Sequence, residues 1–259
     1  MLPLTQLTLV GLPGIPHVQP GDDLARLVVD SLKLAEMTLE PGDILVITSK
    51  LVSKSEGRLV NLVGITPSPR ASELALQIDK DPRLVELILR ESNAVLRTRP
   101  GTIIVEHRLG FVCANAGIDH SNVAGEAHGQ EEWVLLLPEN PDASAGRLRS
   151  QLEAASGAAL GVLVIDSHGR AWRLGTVGVA IGISGLPGLL DLRGKSDLFG
   201  YNLRITQVGV ADELAAAASL MMGQAGEGTP IIHVRGFPYP LREASLAEII
   251  RPEEQDLFR

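Results

Sequence analysis

Three short apolar runs, each bounded by turn or polar residues, constrain most strongly how this chain can fold. They are "ILVIT" at 44–48, which follows a Pro-Gly turn, "LVI" at 163–165 and "PIIHV" at 230–234. Apolar runs of this length predict strands that are buried within a sheet. Helical segments separate these runs irregularly and no internal repeat is present, so the pattern favours a mixed α/β (α+β) architecture over a barrel.

The segments between these strands carry the spacing of amphipathic helices. Residues 22–37 place Leu24, Val28 and Leu32 on one face, behind two acidic residues that suit the positive end of the helix dipole. A later helix at 142–157 is predicted to be capped by Asp142 or Ser144 and to end at Gly157. Further helices are predicted at 68–79, 81–93 and 211–223, a first strand at 4–12, and a strand pair at 102–117.

Composition excludes several classes of protein. A chain of 259 residues, 45% hydrophobic, can bury a sizeable core, and it lacks an apolar run near the roughly 18 residues that a membrane span needs. A formal net charge of −8 argues against general binding to nucleic acid or to an anionic membrane. The single cysteine, Cys113, allows no intrachain disulfide and is predicted to be a small core residue. We therefore expect a cytoplasmic protein.

The segment "FVCANAGIDHSN" at 111–122 is the first candidate site. Small residues around Asp119 and Asn122 would let the backbone approach a ligand. The carboxylate of Asp119 could hold a hard divalent cation such as Mg²⁺ or Mn²⁺. The alternative is an Asx turn that only stabilises a loop.

The segment "VLVIDSHGRAWRLG" at 162–175 is the second candidate. Its apolar run delivers Asp166 and Ser167 to the end of a strand, where ligands of α/β proteins commonly bind. Arg170 and Arg173 then offer guanidinium groups suited to phosphate or carboxylate. A surface turn with solvated arginines is the alternative explanation.

Two further segments carry polar side chains next to core elements. In "SKLVSKSEGR", Lys50 and Lys54 flank a short stretch that we expect to be extended, directly after the strand at 44–48, and a lysine there can reach a phosphate. In "MMGQAGEGTP", Gln224 and Glu227 lie in a glycine-rich turn, which is equally well explained as a structural helix end. The stretch "GLLDLRGKS" has five residues between its glycines where a P-loop has four, and "GTVGVAIG" does not fit the dinucleotide fingerprint.

Taken together and in this order, these segments resemble the coenzyme F-420:L-glutamate ligase family, whose members attach γ-linked glutamate to a deazaflavin coenzyme. The resemblance covers residues 1 to 236 and leaves 237–259 as a charged, proline-punctuated tail. The combination is specific although each piece alone is weak. The matching pieces are "GLPGIPHVQPGDDL", "SKLVSKSEGR", "NAGIDHSNV", "DSHGRAWRLGTVGVAIGISG", "GKSDLFGYNL" and "ADELAAAASLMMGQAGEGTP".

The resemblance implies GTP as the energy source, L-glutamate and the F-420 precursor as substrates, two divalent cations (Mg²⁺ or Mn²⁺), K⁺ as a further activator, and a homodimer with an intertwined, two-subdomain fold. By position, Asp119 and Asp166 would hold the first metal, Ser167 and Gln224 the second, and Lys54 would contact the nucleotide phosphates. Relatives often have threonine at 167 and glutamate at 224, so the neutral Gln224 implies weaker binding of the second metal. The nucleotide site would be lined by Leu12, Pro13, Gly14, Ile15, Ser49, Lys50, Lys54, Asn122, Met222, Gly223, Gln224, Ala225, Gly226, Glu227, Gly228 and Thr229.

Two alternatives to this function stay open on sequence. One is a regulatory nucleotide-binding protein that keeps the fold without the chemistry, although Lys54, Asp119 and Asp166 are all retained. The other is a ligase of the same type that acts on a different carboxylate, such as a folate. Bacterial relatives are often fused to a flavin-dependent reductase, and we expect this chain to act without that domain and without FMN.

Overall fold

The computed structural model describes residues 6–120 and 133–257, and its mixed content of helices and strands confirms the predicted class. The helices among them are α1 Leu24–Leu34, α2 Ser49–Ser55, α3 Pro69–Ile78, α4 Pro82–Arg90, α5 Pro141–Ser156 and α6 Val210–Met222. The strands are β1 Thr8–Gly11, β2 Ile44–Thr48, β3 Leu59–Asn61, β4 Ser92–Arg99, β5 Thr102–His107, β6 Val112–Ala114, β7 Trp133–Leu135, β8 Gly161–Arg170, β9 Arg173–Ser184, β10 Leu190–Asp191, β11 Gln207–Val208 and β12 Ile231–Arg235.

The principal sheet has the strand order β1-β12-β2-β8-β9 and contains the three apolar runs at its centre. Strands β2 and β8 are parallel, whereas the other neighbours are antiparallel. Helices cover both faces: one core layer contains residues of α1 and α5, and the other contains residues of α6. Both faces of the central strands are therefore buried, which explains why β2 and β8 are continuously apolar rather than alternating.

The register of this sheet gathers four chain segments at one end. Thr48 pairs with Ile165, so β2 and β8 run together towards this end, while Ile231 at the start of β12 pairs with Ile47. Gly11 at the end of β1 pairs with Ile232. The loop after β1, helix α2 after β2, the polar half of β8 and the turn before β12 consequently meet at one end of the sheet, which we call the site edge.

A second structural unit lies beyond the site edge. It consists of the sheet β4-β5-β6 with helices α3 and α4, and residues such as Ile88, Ile103 and Val105 form its own core. Cys113 belongs to this core, and burial raises the pKa of its thiol to about 12, in agreement with the predicted core role. Phe111 packs against both this core and the α1/α5 layer, so the two units share a continuous apolar contact.

Several local predictions were wrong. Residues 49–55 form helix α2, not an extended stretch, because Thr48 caps the helix through its side chain. Helix α5 is capped by Asn140, whose side chain accepts from the amide of Ala143, while Asp142 accepts from the amide of Ile183; the end at Gly157 is confirmed. The segment after α4 is the strand β4, not a continuation of the helix.

Residues after 236 pack on the core layer that contains α6, through Phe237, Leu241 and Ile249. Leu246 is buried and donates its amide to Asp142. Glu248 accepts the amides of Gly188 and Leu189 and pairs with Arg242. Among the described residues, no helix combines the length and the apolar character that a membrane crossing requires.

Candidate site at the edge of the principal sheet

Helix α2 places two lysines on one face. Lys50 and Lys54 are four residues apart, and residues at this spacing are neighbours on a helix surface. Burial lowers the pKa of Lys54, and the charge of Lys50 lowers it further. Two ammonium groups held this close favour an anion between or beyond them.

Asp166 lies on β8 at the point where its parallel partner β2 has ended. The Ser49 hydroxyl donates to Asp166 Oδ1 over 2.7 Å, and His168 Nε2 lies 3.1 Å from Asp166 Oδ2. Burial by itself would raise the pKa of Asp166, but His168 and Ser49 outweigh it and hold the pKa below its ordinary value. The predicted strand with a polar end is confirmed as β8, which continues past Asp166 and Ser167 to Arg170 by pairing with β9.

Asp119 approaches the same place from the second unit. Its backbone forms a two-bond bridge with Leu135, with N···O distances of 3.0 and 2.9 Å, and its Oδ2 lies 2.7 Å from Lys50 Nζ. Asp119 and Asp166 line one small cavity together with Ser49. The sequence placed these carboxylates in separate segments, and the structure brings them together.

The small residues before Asp119 have a structural cause. Asn115, Ala116 and Gly117 have φ values of 52°, 53° and 65°, three consecutive residues in the left-handed region that side chains disfavour. A Cβ atom on Gly117 would lie 2.6 Å from Leu137 Cδ1. This tight turn places Asp119 beside Leu135 of β7.

Ser167 and Gln224 meet on the opposite face of the sheet from Asp166, because successive strand residues point to opposite faces. The Ser167 hydroxyl donates to Gln224 Oε1 over 2.9 Å, and Gln224 Nε2 donates to the Ser219 hydroxyl of α6 over 3.0 Å. The two predicted metal pairs therefore lie on the two sides of β8.

The glycine-rich turn between α6 and β12 packs tightly against the end of β1. Glu227 accepts the amide of Ala225 over 2.8 Å, and such backbone donors lower the pKa of Glu227. A Cβ atom on Gly223 would lie 2.1 Å from Glu227 Cδ, and one on Gly11 would lie 2.4 Å from Thr229 Cγ2. A side chain at either position would displace Glu227 or Thr229, so the turn lies directly beside the end of β1.

The predicted nucleotide-lining residues are distributed along this edge. Leu12 is fully buried and donates its amide to Ile231, so its side chain is part of the core. The carbonyl of Pro13 accepts from the Ser31 hydroxyl, and Gly14 has a φ of 72°. The structure thus brings the loop at 12–15 to the site edge, and Asn122 lies outside the described residues.

Arg170 and Arg173 are not brought to the carboxylates. They form the last pair of the β8–β9 hairpin and are exposed. Arg170 lies four residues beyond Asp166, about 13 Å along an extended strand. Arg170 donates to the carbonyl of Leu174, which keeps this guanidinium at the hairpin tip.

Sequence reasoning missed two polar residues of the site edge. His168 had a detectable signal, because it follows Asp166 by two residues on a strand and must share its face. Ser53 is buried, lines the cavity with the two carboxylates, and lies one helical turn after Ser49 on α2. Its role could have been inferred only if 49–55 had been predicted as a helix.

The donor set fits divalent cations. Asp119 and Asp166 provide carboxylate oxygens on one cavity, and Ser167 and Gln224 provide neutral oxygens 2.9 Å apart; oxygen is the ligand that Mg²⁺ and Mn²⁺ prefer. No cluster of three or more His, Cys, Asp or Glu side chains suited to a metal occurs within residues 6–120 and 133–257. The remaining ligands of a bound cation would thus be water or substrate phosphate, as is usual for Mg²⁺.

The fold and this edge define a mixed α/β protein in which lysines, carboxylates and a glycine-rich turn meet at one end of the principal sheet. The family model described as F-420-0:gamma-glutamyl ligase matches residues 14–236. The chain belongs to this family.

Curated relatives match over almost their whole length. The protein named coenzyme F-420:L-glutamate ligase from Methanothermobacter thermautotrophicus is 46% identical over 98% of this chain and 99% of its own. Proteins of the same name from Methanopyrus kandleri (46% identical, 99% of each chain) and Archaeoglobus fulgidus (43% identical, 95% of this chain and 94% of that protein) are similar. This finding confirms the family resemblance drawn from the sequence.

Proposed function

We propose that this protein is a GTP-dependent ligase that adds one or more γ-linked L-glutamates, each through its amine, to a carboxylate of the deazaflavin coenzyme F-420 precursor. The family match and the names of the relatives support the ligase class and the acceptor. The observation that carries the proposal is the meeting of Lys50, Lys54, Asp119 and Asp166 with the turn at 222–229 on one edge of the sheet.

In this proposal the phosphates of GTP lie against helix α2. Lys50 and Lys54 share a helix face and supply two positive charges, of which Lys54 is half-buried and therefore poorly screened by water. Gly11, directly before the loop at 12–15, lies against Thr229 at the end of the turn at 222–229, so these two segments at the same edge would enclose the rest of the nucleotide. The antiparallel pairing of β1 with β12 anchors both segments to the principal sheet.

Asp119 and Asp166 would hold one divalent cation, and Ser167 with Gln224 a second. When bound, these cations would neutralise charge on the transferring phosphoryl group. The Asp119 carboxylate lies 2.7 Å from the Lys50 ammonium, so the two opposite charges attract each other. Because Gln224 is neutral, the second position would depend more on nucleotide oxygens than the first.

A carboxylate has no good leaving group, so the acceptor must be phosphorylated before an amine can attack it. An acceptor carboxylate oxygen attacks the γ-phosphorus of GTP, the bond to the β-phosphate oxygen breaks, and GDP leaves. The neutral amine of L-glutamate attacks the carbonyl carbon of the acyl phosphate, loses a proton, and expels inorganic phosphate to leave an amide. Lys50 and Lys54 would bind the negative charge that moves from the γ- to the β-phosphate in the first step.

The direct experiment is incubation of purified protein with the unglutamylated coenzyme precursor, L-glutamate, GTP and Mn²⁺, followed by mass spectrometry of the coenzyme. We expect mass additions of glutamate that require GTP and disappear in Asp119→Ala and Asp166→Ala, while Asp30→Ala on the exposed face of α1 retains activity. A parallel reaction with a folate acceptor tests the other ligase specificity. GTP binding without any product from either acceptor would contradict the proposal and indicate a regulatory nucleotide binder.

We also propose that the protein acts as a homodimer. Large apolar side chains are exposed on the β8–β9 hairpin tip and on the arm between β10 and β11, including Trp172 (90%), Phe199 (96%) and Leu198 (98%). Exposed apolar surface of this kind marks interaction sites. Light scattering after size exclusion should give twice the chain mass, and Leu198→Asp with Phe199→Asp should give a monomer, whereas Leu76→Asp on α3 should not.

Arg170 and Arg173 remain our candidates for binding substrate carboxylate or phosphate groups. Their position at the hairpin tip, about 13 Å along the strand from Asp166, suits a distant part of an elongated acceptor better than the reacting carboxylate. Replacement of either arginine by alanine should raise the KM for the coenzyme precursor or glutamate at nearly constant kcat. An unchanged KM for both substrates would contradict this role.

A further inference from the structure

His168 occupies a position next to Asp166 that no other part of the proposed chemistry explains. Both residues lie on β8 two positions apart, so both side chains project from the same face of the strand. The Nε2 atom of His168 is buried and lies 3.1 Å from Asp166 Oδ2, but it is not aligned for a hydrogen bond and has no hydrogen-bond partner among the described residues. A buried imidazole nitrogen without a partner is costly, so this proximity calls for a role.

We propose that His168 is a positioning residue that fixes the carboxylate of Asp166 for cation binding. This inference rests on the proposed function. Ser49 holds Oδ1 through a 2.7 Å hydrogen bond, and His168 approaches Oδ2 from the other side. Each carboxylate oxygen has two lone pairs, so both oxygens keep one lone pair for a ligand in the cavity shared with Asp119.

Aromatic packing determines where the imidazole can lie. The Phe111 ring is 5.2 Å from the His168 ring in a tilted arrangement, and it also stacks on His107 at 5.0 Å with an interplanar angle of 6°. Phe111 also packs against the core of the second unit. The imidazole therefore abuts a ring held by both structural units, which restricts its rotation away from Asp166.

The chemistry of an imidazole suits this position. It can donate one N–H group without carrying a permanent charge, whereas lysine or arginine would place a full positive charge next to a cation site. Side chains that hydrogen-bond metal-binding groups orient them, and loss of such a partner typically costs about 10–100-fold in metal affinity. His168 would act through Asp166 without contacting the cation or the nucleotide.

The test measures Mn²⁺ binding to nucleotide-free protein by electron paramagnetic resonance, which does not depend on turnover. His168→Phe keeps an aromatic ring but removes the donor, and His168→Gln keeps a donor near the position of Nε2. We expect about 10–100-fold weaker Mn²⁺ binding for His168→Phe and substantial recovery for His168→Gln. Thermal unfolding in EDTA verifies that each variant is folded, and His168→Met replaces the phenylalanine variant if that one does not fold.

Asp166→Ala serves as the reference that separates the two proposals. If Asp166→Ala abolishes Mn²⁺ binding while His168→Phe binds like wild type, the positioning role is wrong and the metal site stands. If the phenylalanine and glutamine variants lose affinity equally, side-chain shape rather than donation matters and the inference is also overturned. If Asp166→Ala binds Mn²⁺ as tightly as the wild type, or if neither protein binds it, both the metal assignment and this inference are wrong. Mn²⁺ binding without glutamate transfer contradicts only the ligase proposal.

Discussion

His107 is a fully buried histidine whose protonation opposes folding. Burial lowers the pKa of His107 from 6.5 to about 4, even though Glu91 acts in the opposite direction. Between these two values the unfolded chain binds a proton at this residue and the folded chain does not. The contribution of His107 to the free energy of unfolding is therefore fully present above pH 6.5. Below pH 6.5 it falls by about 1.4 kcal/mol per pH unit, and the loss reaches about 3 kcal/mol at pH 4.

We predict that His107→Gln flattens the stability profile in this window. Urea unfolding at pH 8, 6 and 5 would measure the free energy of unfolding of both proteins, and the difference at pH 8 gives the packing loss alone. The variant's deficit should shrink as the pH falls from 6.5 towards 4, since the wild type alone loses this contribution. A deficit that stays constant with pH would show that His107 is not the group responsible.

Lys54 is expected to contribute affinity for the nucleotide. Its half-buried ammonium faces the same edge as Lys50, and a charge-assisted hydrogen bond to phosphate contributes about 1.5–3 kcal/mol. Lys54→Met should therefore weaken GTP binding by about 10–100-fold, as measured by calorimetry. Lys80→Met is the matched control, because burial also lowers the pKa of Lys80 but this residue lies between α3 and α4. Equal losses in both variants would contradict a local role for Lys54.

At the scale of elements, β9 and α6 pack closely together near the site. Gly178 on β9 pairs with Ser167, and a Cβ atom there would lie 2.5 Å from the carbonyl oxygen of Ala215 and 2.6 Å from Ser219 Cβ. Ser219 in turn accepts from Gln224. The absence of a side chain at 178 therefore determines how closely α6 brings Gln224 to Ser167.

We predict that Gly178→Ala destabilises the protein by about 1–3 kcal/mol, the usual cost of overpacking, and weakens the proposed second cation position. Chemical denaturation would measure the first effect, and the Mn²⁺ requirement of glutamate transfer the second. Gly169→Ala on β8 is the control, because a Cβ atom there meets nothing within 4 Å. If Gly169→Ala and Gly178→Ala behave alike, helix packing is not the cause.

The sequence predicted the core elements better than their polar extensions. Runs such as 44–48 and 163–165 are long and uniformly apolar, so burial identifies them directly. Helix α2 has only seven residues, too few for its periodicity to be distinguished from a strand, and its N-cap is a threonine that also ends β2. Strand β8 continues past Asp166 because β9, the second strand of the same hairpin, pairs with it as far as Arg170 and Arg173.

The candidate site could also be predicted only in part from the sequence. Asp119 and Asp166 follow from local patterns and from the family resemblance, but their shared cavity requires the second unit to approach the sheet edge. Arg170 and Arg173 are close to Asp166 in sequence, yet an extended strand separates successive residues by about 3.3 Å and leaves both arginines at the hairpin tip. Distance along a strand grows faster than distance along a helix, so the same spacing has different consequences in the two elements.

At the scale of the whole molecule, Glu91 joins the two structural units. It lies at the end of α4 and accepts hydrogen bonds from Arg58 and Arg108, each over 2.9 Å. Arg58 also donates to the carbonyl of Leu137, and Arg108 to that of Glu139. Burial would raise the pKa of Glu91, but the two guanidinium groups hold it below its ordinary value. The stabilisation is thus present at neutral pH and is lost as acid protonates the carboxylate.

We predict that Glu91→Gln costs about 3–5 kcal/mol of unfolding free energy, because it leaves the two guanidinium groups without their shared counter-charge. Glu73→Gln on the exposed face of α3 should change stability by less than about 0.5 kcal/mol.

Since Arg58 follows α2 and Asp119 belongs to the second unit, loosening the junction at Glu91 should also separate Asp119 from Lys50. GTP-dependent activity of Glu91→Gln should therefore fall at temperatures where circular dichroism still shows folded protein. Activity and secondary structure lost together would mean that Glu91 supports only global stability and not the alignment of the site.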